Sequence, residues 1–168
     1  MTSHDAAQLA TASFSNVDVV RNLVVNGDFE SSTPPSTGPG WTSDVPYRQS
    51  EARVETQQPH GGFKDGVCET TAALDCGLYQ DVVLPTTGKY ALTFYANANK
   101  AGVVVGYNLA GRTLSIPIEQ RPDGYGASYF VGTHGQAGDV IRIWLYAPAS
   151  PGRAVIDDVQ LVRYLGPT

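Results

Sequence analysis

Basic residues are scarce: 168 residues hold 11 Lys and Arg against 16 Asp and Glu, for a net charge of −5 and a pI near 5.0. A surface that tracks nucleic-acid phosphates needs clustered Lys and Arg, so this balance argues against DNA or RNA as a partner. Long apolar runs are missing as well. No window approaches the ~18 residues of a membrane span, and the first 22 residues lack the basic start and apolar stretch of a signal peptide. Cysteine is limited to Cys68 and Cys76, too few thiols for a four-cysteine zinc site and wrongly spaced for a redox pair. A disulfide is the better reading in an oxidising compartment, with two buried thiols as the alternative.

What is abundant is turn formers and β-branched residues. The 18 Gly and 11 Pro interrupt any long helical pattern, and Val, Ile and Thr favour strands. A hydrophobic share of 42% suffices for one packed core at this length. Residues 1–21 show little periodicity and read as a flexible tail, leaving 22–168 as one domain. From Asn22 onward, short apolar runs are cut by Gly, Pro, Asp and Asn every ~8–12 residues, the texture of an all-β sandwich or barrel.

Ten strands are expected. They run Asn22 to Asn26, Glu51 to Glu55, Gly66 to Thr71, Gly77 to Leu84, Lys89 to Asn97, Val103 to Asn108, Thr113 to Glu119, Ala127 to Gly132, Val140 to Ala147 and Ala154 to Arg163. Alternation with period two assigns their faces. Tyr90, Leu92 and Phe94 read as core, with Ala91, Thr93, Tyr95 and Asn97 opposite. Ile141, Ile143 and Leu145 point one way; Arg142, Trp144 and Tyr146 point the other. An outward face with two large aromatics beside an Arg calls for a ligand, a partner or a covering loop.

Three stretches resemble a known family. Asn22-Leu23-Val24-Val25-Asn26-Gly27-Asp28-Phe29-Glu30 followed by Gly40-Trp41 is similar to the opening of carbohydrate-binding modules of families four, nine and twenty-two. Leu78 to Val82 and Gly88 to Ala96 resemble their middle strands, and Val155 to Leu161 their final one. The match spans about residues 22 to 163 and implies a galactose-binding-like jelly roll of two antiparallel sheets, exported from the cell. It also implies a structural calcium away from the ligand, with Glu30 and Asp157 as carboxylates, Asp28 through its carbonyl and the loop around Lys64 as further oxygen donors. Trp41 falls at a position that packs inward in the family.

A sugar site needs flat aromatic faces for the C-H side of the ring and planar polar groups for its hydroxyls. Trp144, Tyr146, Tyr95 and Arg142 are the candidates, with Asn97 and Gln80 as hydrogen-bonding partners and Tyr125 and Tyr129 as a rim. Each of these aromatics could equally serve as core packing. Enzyme signatures are lacking. Asp157 and Asp158 are strand neighbours expected to face opposite ways, unsuited to the carboxylate pair of a glycosidase. A jelly-roll polysaccharide lyase using Tyr146, Arg142 and His134 is a third reading, behind a carbohydrate-binding module and a protein-interaction module of a shell, adhesin or phage tail.

Overall fold

The computed structural model describes residues 21–44, 52–121 and 126–164. Ten strands are present: β1 (Thr42–Ser43), β2 (Ala52–Glu55), β3 (Asp65–Thr70), β4 (Cys76–Val83), β5 (Gly88–Ala98), β6 (Val104–Leu109), β7 (Arg112–Pro117), β8 (Ala127–Gly135), β9 (Val140–Ala147) and β10 (Gly152–Arg163). They pair antiparallel in two five-stranded sheets, β1-β4-β9-β6-β7 and β2-β3-β10-β5-β8. No helix occurs among the described residues. The chain is an all-β sandwich.

The alternation read from the sequence sets the packing. Ile141, Ile143 and Leu145 of β9 are fully buried, facing Tyr90, Leu92 and Phe94 of β5 across the sandwich core. Burial of each such side chain contributes roughly 1.5–3 kcal/mol. Trp41 lies in the same core, its ring stacked on Phe29 at 5.0 Å and its indole donating to the Asn26 carbonyl.

The opening segment departs from expectation. Residues 22–26 make no strand, because Asn side chains take over the bonds a ladder would use. Asn22 Oδ1 accepts from Val24 N and Leu161 N, Asn26 Oδ1 accepts from Ser31 N, and Asn26 and Phe29 have positive φ. Two main-chain bonds, Leu23 N to Leu161 O and Val159 N to Gly27 O, still lay the segment along β10.

A second departure lies in β10. A bulge between Asp157 and Gln160, with Asp158 at φ 49°, breaks the alternation. Both carboxylates therefore reach His60: Asp157 Oδ2 accepts from its main-chain N–H at 2.8 Å, and Asp158 Oδ2 lies 2.6 Å from its Nδ1.

Cys68 and Cys76 form a disulfide with Cα atoms 5.6 Å apart, tying β3 of one sheet to β4 of the other. Closing so short a loop contributes about 2–3 kcal/mol. Reduction should lower the melting temperature by roughly 5–10 °C for a domain of this size, as scanning calorimetry with and without reductant would register. An unchanged transition would show that the bridge adds nothing to stability.

Candidate functional site

The outer face of the first sheet carries its side chains in cross-strand rows. Tyr79 of β4 pairs with Trp144 of β9, which pairs in turn with Gly106 of β6. One row on, Gly77 pairs with Tyr146 and Tyr146 with Val104; on the other side, Asp81 pairs with Arg142 and Arg142 with Asn108. Three aromatic rings thus project from two adjacent strands, and they line an open groove of about 410 Å³.

Glycines shape this groove. A Cβ at Gly106 would fall 2.6 Å from the Trp144 ring, and one at Gly77 would fall 2.2 Å from Asp44 Oδ2. A Cβ at Gly106 would also fall 2.1 Å from the Leu114 carbonyl oxygen, so close approach requires that glycine, whereas a side chain at Gly77 would displace the Asp44 carboxylate. The indole Nε1 of Trp144 donates to Asn108 Oδ1 at 3.3 Å, and the Tyr146 hydroxyl donates to Asp75 Oδ2 at 3.3 Å. These bonds fix the ring planes. Burial, followed by the charges of Asp75 and Asp44, pushes the Tyr146 hydroxyl upward, which keeps it protonated.

The Arg142 guanidinium is already engaged within the face. Its Nε and Nη2 donate to the two Asp81 oxygens, both at 2.7 Å, while its guanidinium lies over the Tyr79 ring 4.2 Å from the centroid. The hydrogen bond to Arg142 holds the Asp81 carboxyl below the usual range, and the same bond raises Arg142. Its observed contacts are those of a prop for Tyr79.

The remaining expected ligand residues lie elsewhere. Tyr95 and Asn97 belong to β5, which pairs with β10 and β8 in the second sheet, so they cannot join Trp144 on one face. Tyr95 stacks on His60 at 4.1 Å and accepts from Gly126 N at 2.8 Å; Asn97 is buried. Gln80 points inward, as the alternation of β4 requires, and its amide binds the main-chain N–H and carbonyl of Val25. Tyr129 also turns inward and stacks on Phe94 at 5.1 Å. Tyr125 lies outside the described residues. Tyr79 and Asp44 are groove residues that the sequence reading missed.

The carboxylates assigned to calcium accept protein hydrogen bonds. Glu30 Oε1 accepts from Phe63 N at 2.6 Å and Lys64 N at 2.8 Å, whereas Asp28 Oδ1 accepts from Glu30 N. Asp157 takes His60 N and Gly61 N on Oδ2 and Asp158 N on Oδ1. The Lys64 ammonium donates to the carbonyls of Glu30 and Ser32 at 2.7 and 2.8 Å, so a side-chain cation already sits on the oxygens of the opening segment. Among the described residues no group of three His, Cys, Asp or Glu is placed to hold a metal. This donor set does not fit the six to eight converging oxygens that calcium prefers, and no role here is routed through a metal. Chelation should leave the melting temperature unchanged, while Lys64→Met should lower it by a few degrees. A clear drop on chelation alone, with calcium found by elemental analysis, would reverse that assignment.

The lyase grouping is also dispersed. His134 stands on β8 of the second sheet, whereas Tyr146 and Arg142 stand on β9 of the first.

No family model matches this sequence, and no curated protein does either. Solved structures do. A module called TmCBM61, solved with β-1,4-galactotriose, is 19% identical with a TM-score of 0.66, covering 86% of this chain and 99% of that one. A second module of carbohydrate-binding family 16 is 20% identical with a TM-score of 0.61, covering 84% of this chain and all of that one. The first family 22 xylan-binding domain of Xyn10C from Paenibacillus barcinonensis is 15% identical with a TM-score of 0.55, covering 83% of this chain and 94% of that one. At such identities the likeness concerns the fold: this chain has the jelly-roll sandwich of the carbohydrate-binding modules.

Proposed function

We propose that the chain is a non-catalytic carbohydrate-binding module that holds an oligo- or polysaccharide along the outer face of its first sheet. The observation that carries this reading is the cluster of outward rings, Tyr79, Trp144 and Tyr146, in an open groove beside Gly77 and Gly106. Rings held by Arg142, Asn108 and Asp75 lose little freedom on binding, so stacking on a pyranose is not offset by ordering the site. The likeness to modules solved with or named for glycans supports the same reading. The disulfide between Cys68 and Cys76 favours an extracellular, secreted setting, where the module would serve as a lectin or as an accessory of a glycoside hydrolase or polysaccharide lyase.

Affinity gel electrophoresis over plant, algal and bacterial polysaccharides tests it. At least one glycan should retard the protein, and Trp144→Ala should restore its mobility. If no glycan retards it and the protein runs as a dimer that Trp144→Asp dissociates, the face is a protein interface instead.

A further inference from the structure

We infer that Asp44 is a specificity-determining residue of the groove, accepting hydroxyl hydrogen bonds at one end and restricting the ligand to uncharged glycans. The inference rests on the reading of the groove as a sugar site. Its own evidence is the placement of charge around the rings.

Asp44 follows the short edge strand β1, and two bonds to one residue of β4 hold it. Its main-chain N donates to Gly77 O at 3.1 Å, and its Oδ1 accepts from Gly77 N at 2.9 Å. The other oxygen, Oδ2, reaches the space a side chain at Gly77 would fill, next to Tyr146, the cross-strand partner of Gly77. A carboxylate fixed in this way beside an aromatic floor needs no reorganisation to receive a sugar hydroxyl. Such charge-assisted bonds are stronger than bonds between neutral groups.

The same charge rejects anions. Among the described residues lining the groove, Arg142 is the one Lys or Arg, and its guanidinium is already bound through two nitrogens to Asp81. Uronate carboxylates and sulfate esters therefore meet Asp44 with no free cation among the described lining residues to offset it. The influence of Asp44 extends into the groove, where it adds to the upward push on the Tyr146 hydroxyl. A neutral chain is spared this repulsion and uses the carboxylate as an acceptor.

The test is a panel run in affinity gels with the wild type and Asp44→Asn, which keeps an oxygen for Gly77 N–H but removes the charge. Neutral xylan, β-glucan, galactan and mannan are set against polygalacturonate, alginate and a sulfated galactan, each at low and at high salt. One or more neutral glycans should bind with little salt dependence, and the acidic ones should not bind at either salt. Asp44→Asn should weaken neutral binding about tenfold or more, the cost of a hydrogen bond to a charged group, at an unchanged melting temperature. Tight binding of an acidic glycan that strengthens at low salt, or full neutral-glycan affinity in a folded Asp44→Asn protein, would overturn the inference while leaving the sugar site intact. Failure of every glycan to bind would remove the sugar site and this inference together.

Discussion

Replacing Trp144 by Ala should weaken glycan binding by roughly 30-fold or more, because truncating a central stacking ring at a hot spot costs about 2 kcal/mol or beyond. The ring sits mid-row, between Tyr79 on β4 and Gly106 on β6, so a sugar laid on this face cannot avoid it. Its side chain is only half-buried and faces away from the sandwich core, so the melting temperature should fall by no more than a few degrees. Arg142→Ala should act less strongly and by another route. Without the guanidinium over Tyr79 and its bonds to Asp81, the neighbouring ring loses its support, and the affinity loss should appear for neutral glycans at any salt. Isothermal titration of the two variants against the best glycan separates these effects. A folded Trp144→Ala protein that binds as tightly as wild type would place the sugar elsewhere on the fold.

Lowering the pH from 8 to 5 should stabilise the domain. Asp65 and Asp157 are both fully buried on the outer side of the second sheet. Burial first, and then the charge of Asp157, raises Asp65 to about 7; burial raises Asp157 to about 6 despite three N–H donors. The charge of Arg53 and main-chain N–H groups lower Asp65 but do not offset its burial, and Arg153 Nη2 lies 3.6 Å away. An unfolded Asp titrates near 3.9. Between that value and about 7 the folded protein holds protons that the unfolded chain has lost, so stability is highest below the unfolded value and declines as pH rises through the folded ones. The gain on acidification should be on the order of 2 kcal/mol or more, several degrees in melting temperature. Asp65→Asn removes the larger contribution. It should raise stability at pH 8 and flatten the profile between pH 5 and 8. A profile that falls below pH 7 and is identical in the variant would contradict this account of the cluster.

Much of this was legible in the residues themselves. Nine expected strands appear with ends within three residues, because Gly, Pro and Asn mark their limits and period-two alternation marks their faces. Trp144 and Tyr146 stood out for the same reason: on β9 they alternate with Ile141, Ile143 and Leu145. The equivalent signal existed on β4, where Leu78 and Val82 alternate with Tyr79 and Asp81, and it would have placed Tyr79 in the groove and Gln80 in the core. Strand neighbourhood was not legible. Alternation says which way Tyr95 points within β5 but not that β5 lies in the other sheet, since that follows from long-range pairing. Asp44 carried no local signal at all, because its role comes from bonds to Gly77, far along the chain. The resemblance identified the fold correctly; of the residues it assigned to calcium, Glu30 and Asp157 accept protein N–H groups, and Lys64 donates to the carbonyls of Glu30 and Ser32.

The two tryptophans offer the most direct test of where a sugar lies. Trp144 donates its indole N–H to Asn108 in the groove, whereas Trp41 donates to Asn26 O inside the protein. In a nitrogen-15 correlation spectrum each gives one indole resonance, assignable with Trp144→Phe. Titration with a glycan that retards the protein in gels should move the Trp144 indole signal and the amides of β4, β6 and β9, leaving the Trp41 signal in place. A titration that saturates with the Trp144 indole unmoved, and with shifts confined to the second sheet, would contradict the groove as the binding face.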